Sequence, residues 1–115
     1  MKKLTLLISI LLIAEVMFSQ ITFQKTYGGT GDEYGSSIQQ TTDGGFIIVG
    51  YTNSYGAGDY DIYLIKSDAN GDTIWTKTFS GIGTQNGNSV KQTSDGGYII
   101  AGTTKDFGAG NTDVY

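Results

Sequence analysis

The chain has 115 residues, no cysteine, histidine or proline, and a formal net charge of −4. These absences exclude Ser-His and Cys-His nucleophiles, histidine-containing zinc sites and disulfides. Its lysines are spread one at a time, and after the first nineteen residues ten acidic residues outnumber them, which argues against nucleic acid and anionic lipid as partners.

Residues 1–19 read as a signal peptide. Lys2 and Lys3 form a positive start, Leu4 to Ala14 is an apolar stretch too short to span a bilayer, and Ser19 is a small residue suited to the position before a cut. Cleavage is expected before Gln20. The mature chain is then expected outside the cell or on its surface, or in a periplasm. No thiol is present to carry a lipid, so no membrane anchor is expected after cleavage.

The mature chain is rich in glycine (18 residues in the whole sequence), in aromatic residues and in β-branched residues, which is a strand-and-turn composition. Residues 21–27 read as a strand. Gly28 to Gly35 reads as a loop and Ser36 to Thr41 as a strand of small and polar residues. Asp43-Gly44-Gly45 is a tight turn, because its glycines accept positive φ. Phe46 to Thr52 is a continuous apolar strand, Asn53 to Tyr60 a glycine-containing loop, and Asp61 to Ser67 a second apolar strand. Asp68-Ala69-Asn70-Gly71-Asp72 turns the chain into Thr73 to Phe79, where Trp75, Lys77 and Phe79 alternate with Ile74, Thr76 and Thr78. Gly81 to Gly87 leads on.

The pattern then returns 52 residues later. Asp43-Gly44-Gly45-Phe46-Ile47-Ile48-Val49-Gly50 falls on Asp95-Gly96-Gly97-Tyr98-Ile99-Ile100-Ala101-Gly102, and Gly56-Ala57-Gly58 falls on Gly108-Ala109-Gly110. Between 23–63 and 75–115, 20 of 41 positions are identical, in too varied an order to come from biased composition. A fixed period of this length signals a propeller, a solenoid or an array. The two middle strands are apolar on both faces, so both faces should be covered, as in stacked blades. The expected fold is therefore all-β, with antiparallel four-stranded propeller-blade repeats of 52 residues. The outer strand is expected at 21–27, a full blade at 28–79 and a partial blade at 80–115. A small β-sandwich is the alternative, and it leaves the 52-residue recurrence unexplained.

The runs Trp75-x-Lys77-Thr78, Asp95-Gly96-Gly97-Tyr98-Ile99-Ile100-Ala101-Gly102-Thr103-Thr104 and Asp113-x-Tyr115 resemble the tandem β-propeller repeats of exported bacterial proteins, common in the Bacteroidetes group. The resemblance covers residues 23–115. It implies a surface or secreted binding scaffold, often carrying a C-terminal sorting domain. No such domain is in the sequence, which stops at Tyr115 inside a strand. That reads as an N-terminal fragment whose further blades lie downstream, as a propeller needs roughly 4–8 blades.

Chemistry is sparse. Asp32 with Glu33, and Asp59 with Asp61, are the only acid–base candidates, and Asp32, Glu33 and Asp59 are replaced in the second repeat. Asp43 and Asp61 recur as Asp95 and Asp113, which marks turn structure rather than a single active site. Asp68, Asn70 and Asp72 have the first three spacings of a calcium loop, but Thr73 stands where glycine is needed and Phe79 where the bidentate glutamate is needed. A plain hairpin is the expected reading. Tyr27, Tyr51, Tyr55, Tyr60, Tyr63 and Trp75 could stack on sugar rings or pack between blades. The expected function is a non-catalytic binding module with no cofactor, its ligand a protein or carbohydrate met by the loops Gly28–Gly35 and Asn53–Tyr60. The alternative is part of a propeller enzyme, a hydrolase or lyase acting on carbohydrate.

Overall fold

Among the described residues, seven strands form between glycine-containing turns and loops. The computed structural model describes residues 23–115; the leader at 1–19, its cleavage point, and the first two residues of the expected strand at 21–27 lie outside them. The strands are β1 (Glu33–Gln40), β2 (Phe46–Thr52), β3 (Asp61–Ser67), β4 (Thr73–Phe79), β5 (Gln85–Gln92), β6 (Tyr98–Thr104) and β7 (Asp113–Val114), and the described residues contain no helix. They make two antiparallel sheets with neighbours in chain order, β1-β2-β3-β4 and β5-β6-β7. The described part of the chain is therefore all-β.

The apolar runs of β2, β3 and β4 begin and end where the turn residues predict. Three expectations need correction. β1 starts at Glu33 rather than Ser36, because Glu33 pairs with Thr52, Tyr34 with Tyr51 and Gly35 with Gly50 before a bulge at Gly35/Ser37, and in the same way β5 starts at Gln85, inside the expected Gly81–Gly87 connection. Residues 23–27 belong to no sheet. They lie against the first sheet through side chains: the Phe23 ring meets Phe46 edge-on at 5.7 Å, the Tyr27 hydroxyl donates to the Gly71 carbonyl at 2.7 Å, and Lys25 pairs with Asp72 at 2.6 Å. Among the described residues, no strand offers these five residues a ladder.

Glycine closes the turns at one end. Gly44 and Gly96 both have φ 84°. In each turn the aspartate accepts from the glycine two residues on, Gly45 N to Asp43 Oδ1 at 2.9 Å and Gly97 N to Asp95 Oδ1 at 3.0 Å. Thr41 and Thr93 hydroxyls donate to the same two carboxylates. The bulge recurs at Gly87/Ser89, so the same bonds and the same irregularity occur 52 residues apart.

The sheets pack face to face. Because side chains alternate across a strand, Ile47 and Val49 of β2 share a face with Ile62 and Leu64 of β3. That face meets Val90 of β5, with Tyr98, Ile100 and Phe79 packed at its border. Trp75 reaches Tyr98 across the gap, with ring centroids 6.0 Å apart, so this tryptophan packs between the sheets. The inner strands also bond sideways, Gln92 N to Gln39 Oε1 at 2.7 Å and Thr42 N to Gln92 Oε1 at 2.9 Å.

Candidate functional site

Antiparallel pairing in chain order puts the starts of β1, β3, β5 and β7 at the same end as the finishes of β2, β4 and β6. The longer loops therefore gather at that end, and the tight Asp-Gly-Gly and Asn-Gly turns at the other. Segment 28–32, the part of the expected Gly28–Gly35 loop that stays outside β1, touches the loop Asn53–Tyr60 directly. Gly31 N donates to Ser54 Oγ at 2.8 Å, Asp32 N to Asn53 Oδ1 at 2.6 Å, and Asn53 N to the Asp32 carbonyl at 3.1 Å. The loop Asn53–Tyr60 is tied to the other sheet, with Asp59 N bonded to the Gly83 carbonyl at 3.2 Å and Gln85 N to the Tyr60 carbonyl at 2.7 Å.

Three tyrosines meet there. Tyr34 and Tyr51 stack with centroids 4.9 Å apart. Tyr60 stands edge-on to both, at 6.1 Å from Tyr34 and 5.6 Å from Tyr51. Offset-stacked and edge-on pairs are the preferred aromatic arrangements. Tyr34 is 48% exposed. The Tyr60 phenol first, and then the Asp32 carboxylate, raise the Tyr34 hydroxyl above its ordinary value, so it stays a neutral donor. Fifty-two residues on, the three positions hold Asn86, Thr103 and Thr112. The cluster thus sits where the two halves of the chain differ. Tyr55 lies beside it but turns onto Tyr63, at 5.3 Å. The sequence places Tyr34 in the Gly28–Gly35 loop named as a binding surface, but not among the aromatic candidates for stacking. The signal available was that Tyr34, Tyr51 and Tyr60 all give way to small polar residues together.

The carboxylates of this end serve the loops. Glu33 accepts from the Thr52 hydroxyl at 2.9 Å. The Ser54 hydroxyl, ahead of Thr52 and the Gly29 amide, holds its carboxyl below the ordinary value, so it stays ionised. A general acid for glycoside cleavage needs the opposite shift. Asp61 is buried and accepts from Gly58 N and Gly81 N, both at 3.2 Å. In the second sheet Gln85 takes the place of Glu33: its Oε1 accepts from Gly81 N at 2.7 Å, and its amide donates to Asp106.

At the opposite end, Asp68 Oδ1 accepts from the backbone of Asn70 and Asp72, both at 2.9 Å. Gly71 takes φ 81°, and Asp72 is paired with Lys25. The three calcium-spaced residues therefore hold a hairpin turn together, and the described residues contain no group of three acidic side chains placed to hold a metal ion. Comparison with protein-family models, curated proteins and solved structures finds no match.

Proposed function

We propose that the chain is an exported, non-catalytic binding module, built of propeller-blade-like repeats, that takes its ligand at the loop end of the sheets. The observation that carries this reading is the Tyr34–Tyr51–Tyr60 cluster, in which Tyr34 is half-exposed and the other two partly buried, and which is present in only one of the two sequence repeats. Aromatics that serve blade packing recur with the period, as Phe46 and Tyr98 do. A cluster that breaks the period answers to something outside the packing. Tyrosine faces with adjacent amide and hydroxyl groups (Asn53, Ser54) suit a neutral or weakly polar ligand such as an oligosaccharide, and such mixed apolar and polar lining is usual at binding sites. The blade reading draws support from the four-stranded meander β1-β2-β3-β4 and from the recurrence of bulge, turn and loop bonds 52 residues on.

An amide NMR titration with a panel of neutral and acidic oligosaccharides tests the site. Shifts confined to the neighbourhoods of Tyr34, Tyr51 and Tyr60, and lost in Tyr34→Ala, are expected. Binding at the Asp43 or Asp68 turns, or turnover of a sugar with loss of activity in Asp32→Asn, would replace this reading. N-terminal sequencing after expression in a Gram-negative host tests export, with Gln20 expected as the first residue.

A further inference from the structure

The second sheet covers the first through a fixed set of side chains: Val90, with Tyr98 and Ile100, lies against Ile47, Val49, Ile62 and Leu64. Fifty-two positions before Val90, Tyr98 and Ile100 stand Ile38, Phe46 and Ile48, on the face of the first sheet that points away from the second. Fifty-two positions after Ile47, Val49 and Ile62 stand Ile99, Ala101 and Val114, on the outward face of the second sheet. The outer face of the first sheet therefore matches the Val90, Tyr98 and Ile100 surface, and the outer face of the second matches the Ile47, Val49 and Ile62 part of the surface that meets it. Both are open, with Ile38 61% and Ile99 62% exposed.

A glycine gives an independent sign. At Gly87 a Cβ would stand 2.6 Å from Val49 Cγ2 and 3.1 Å from Ile62 Cγ2, so the close approach of the sheets excludes a side chain there. Gly35 holds the matching place in the first sheet's bulge. A Cβ there meets nothing within 4 Å, and its backbone is not left-handed. Among the described residues, neither space nor φ requires glycine at 35. A neighbour seated as the second sheet is seated on the first would require it.

Residues 23–27 leave room for that neighbour. Phe23 sits on Phe46 at 5.7 Å as Trp75 sits on Tyr98 at 6.0 Å, so this segment holds the place that β4 holds in the observed interface. A β5-β6-β7 sheet of a second copy, seated on Ile38 and Ile48, would lie beside it, with β7 on the side of Phe23–Tyr27.

From these relationships we infer that copies of this chain stack head to tail, Ile99, Ala101 and Val114 of one copy seating on Ile38, Phe46 and Ile48 of the next. The occupant is a second copy because one chain carries both halves of the interface. The contact is heterologous, so a dimer keeps one free face of each kind and grows until a ring closes. None of this rests on the loop-end binding site.

Sedimentation velocity of the purified chain tests the stacking, with species beyond the dimer expected to grow with concentration. Ile38→Glu and Ile99→Glu each place a carboxylate in the contact and each weaken association by at least about tenfold, or about 1.4 kcal/mol. Mixed together, the two variants form one-to-one dimers and nothing larger, since each keeps the face the other has lost. Gly35→Val, whose Cβ meets nothing within 4 Å in the chain itself, blocks growth and removes any rise of the melting temperature with protein concentration. A wild-type chain that stays monomeric into the millimolar range overturns the inference. So does a dimer that Ile38→Glu abolishes and mixing with Ile99→Glu does not restore, or a Gly35→Val chain that assembles like wild type.

Discussion

The Lys66 ammonium lies 3.0 Å from Asp43 Oδ2 although the lysine side chain is only 5% exposed. It also donates to the Ser67 carbonyl at 2.9 Å. The lysine runs from β3 beneath the Asp43-Gly44-Gly45 turn, and a Cβ at Gly45 would lie 2.7 Å from its Nζ. The turn is thereby fastened to β3, the neighbour of the strand it leads into. Asp95 makes the equivalent threonine and glycine bonds with no lysine beside it among the described residues.

Asp43→Ala is therefore expected to lower the melting temperature more than Asp95→Ala does. Both lose turn bonds, and only the first leaves a buried ammonium without its carboxylate, which costs more than the pair contributes. Adding Lys66→Met to Asp43→Ala should recover part of the loss. Thermal melts of the three variants check the order, and equal losses for Asp43→Ala and Asp95→Ala would show that the lysine contributes little.

Stability should fall at both extremes of pH. The Asp43 carboxyl is held well below the ordinary range, first by Thr41 and then by the Gly45 amide and Lys66. Asp95 is held low by Thr93 and the Gly97 amide, and Glu33 by Ser54. A folded carboxyl lower than its unfolded value contributes stability above the unfolded value, and that contribution disappears as pH falls from about 4. At the alkaline end, burial raises Tyr63 and the Tyr60 phenol raises Tyr34. Their contribution is whole below the unfolded value and lost as pH rises past about 10. Denaturant melts across pH should show a plateau between these limits, and Asp43→Asn should flatten the acid limb.

Gly87→Ala and Gly35→Ala, the same change at matching positions, should differ in sign. At Gly87 the new methyl meets Val49 and Ile62 across the sheet interface, and overpacking of a filled interior costs about 1–3 kcal/mol. At Gly35 it meets nothing within the chain itself, and at concentrations where the chain is a monomer alanine reduces the freedom of the unfolded chain, stabilising by about 0.4–1 kcal/mol. Ile47→Ala, in the middle of the same interface and fully buried, should cost about 2–5 kcal/mol. Chemical denaturation gives all three values, and a destabilised Gly35→Ala would sink the distinction.

The strands that sequence placed well are those whose signals are local. Phe46–Thr52, Asp61–Ser67 and Thr73–Phe79 are apolar or alternating runs between glycine turns, and their bounds follow from that chemistry. The start of β1 is not local. Glu33-Tyr34-Gly35 has no strand signature, and it joins the sheet because Thr52 donates to Glu33 and the glycine at 50 lets the Tyr34 backbone approach. Residues 23–27 have a strand's composition but no ladder among the described residues. The tyrosine cluster was half legible: Tyr51 and Tyr60 stood out as candidates, whereas Tyr34 needed the register of β1 on β2 to bring it to them.

The loop bonds carry one further consequence. Around the start of β1 the carboxylate belongs to Glu33 and its hydroxyl partner is Ser54. Around the start of β5 the roles are exchanged, with the amide on Gln85 and the carboxylate on Asp106. Two stretches so alike could trade partners during folding, β1 zipping onto β6 instead of β2. That exchange would set Glu33 against Asp106, two carboxylates where one hydrogen bond belongs, and like charges brought together in this way are a recognised means of rejecting a wrong pairing. The exchanged side chains thus act as a key that tells each strand which of two near-identical neighbours is its own.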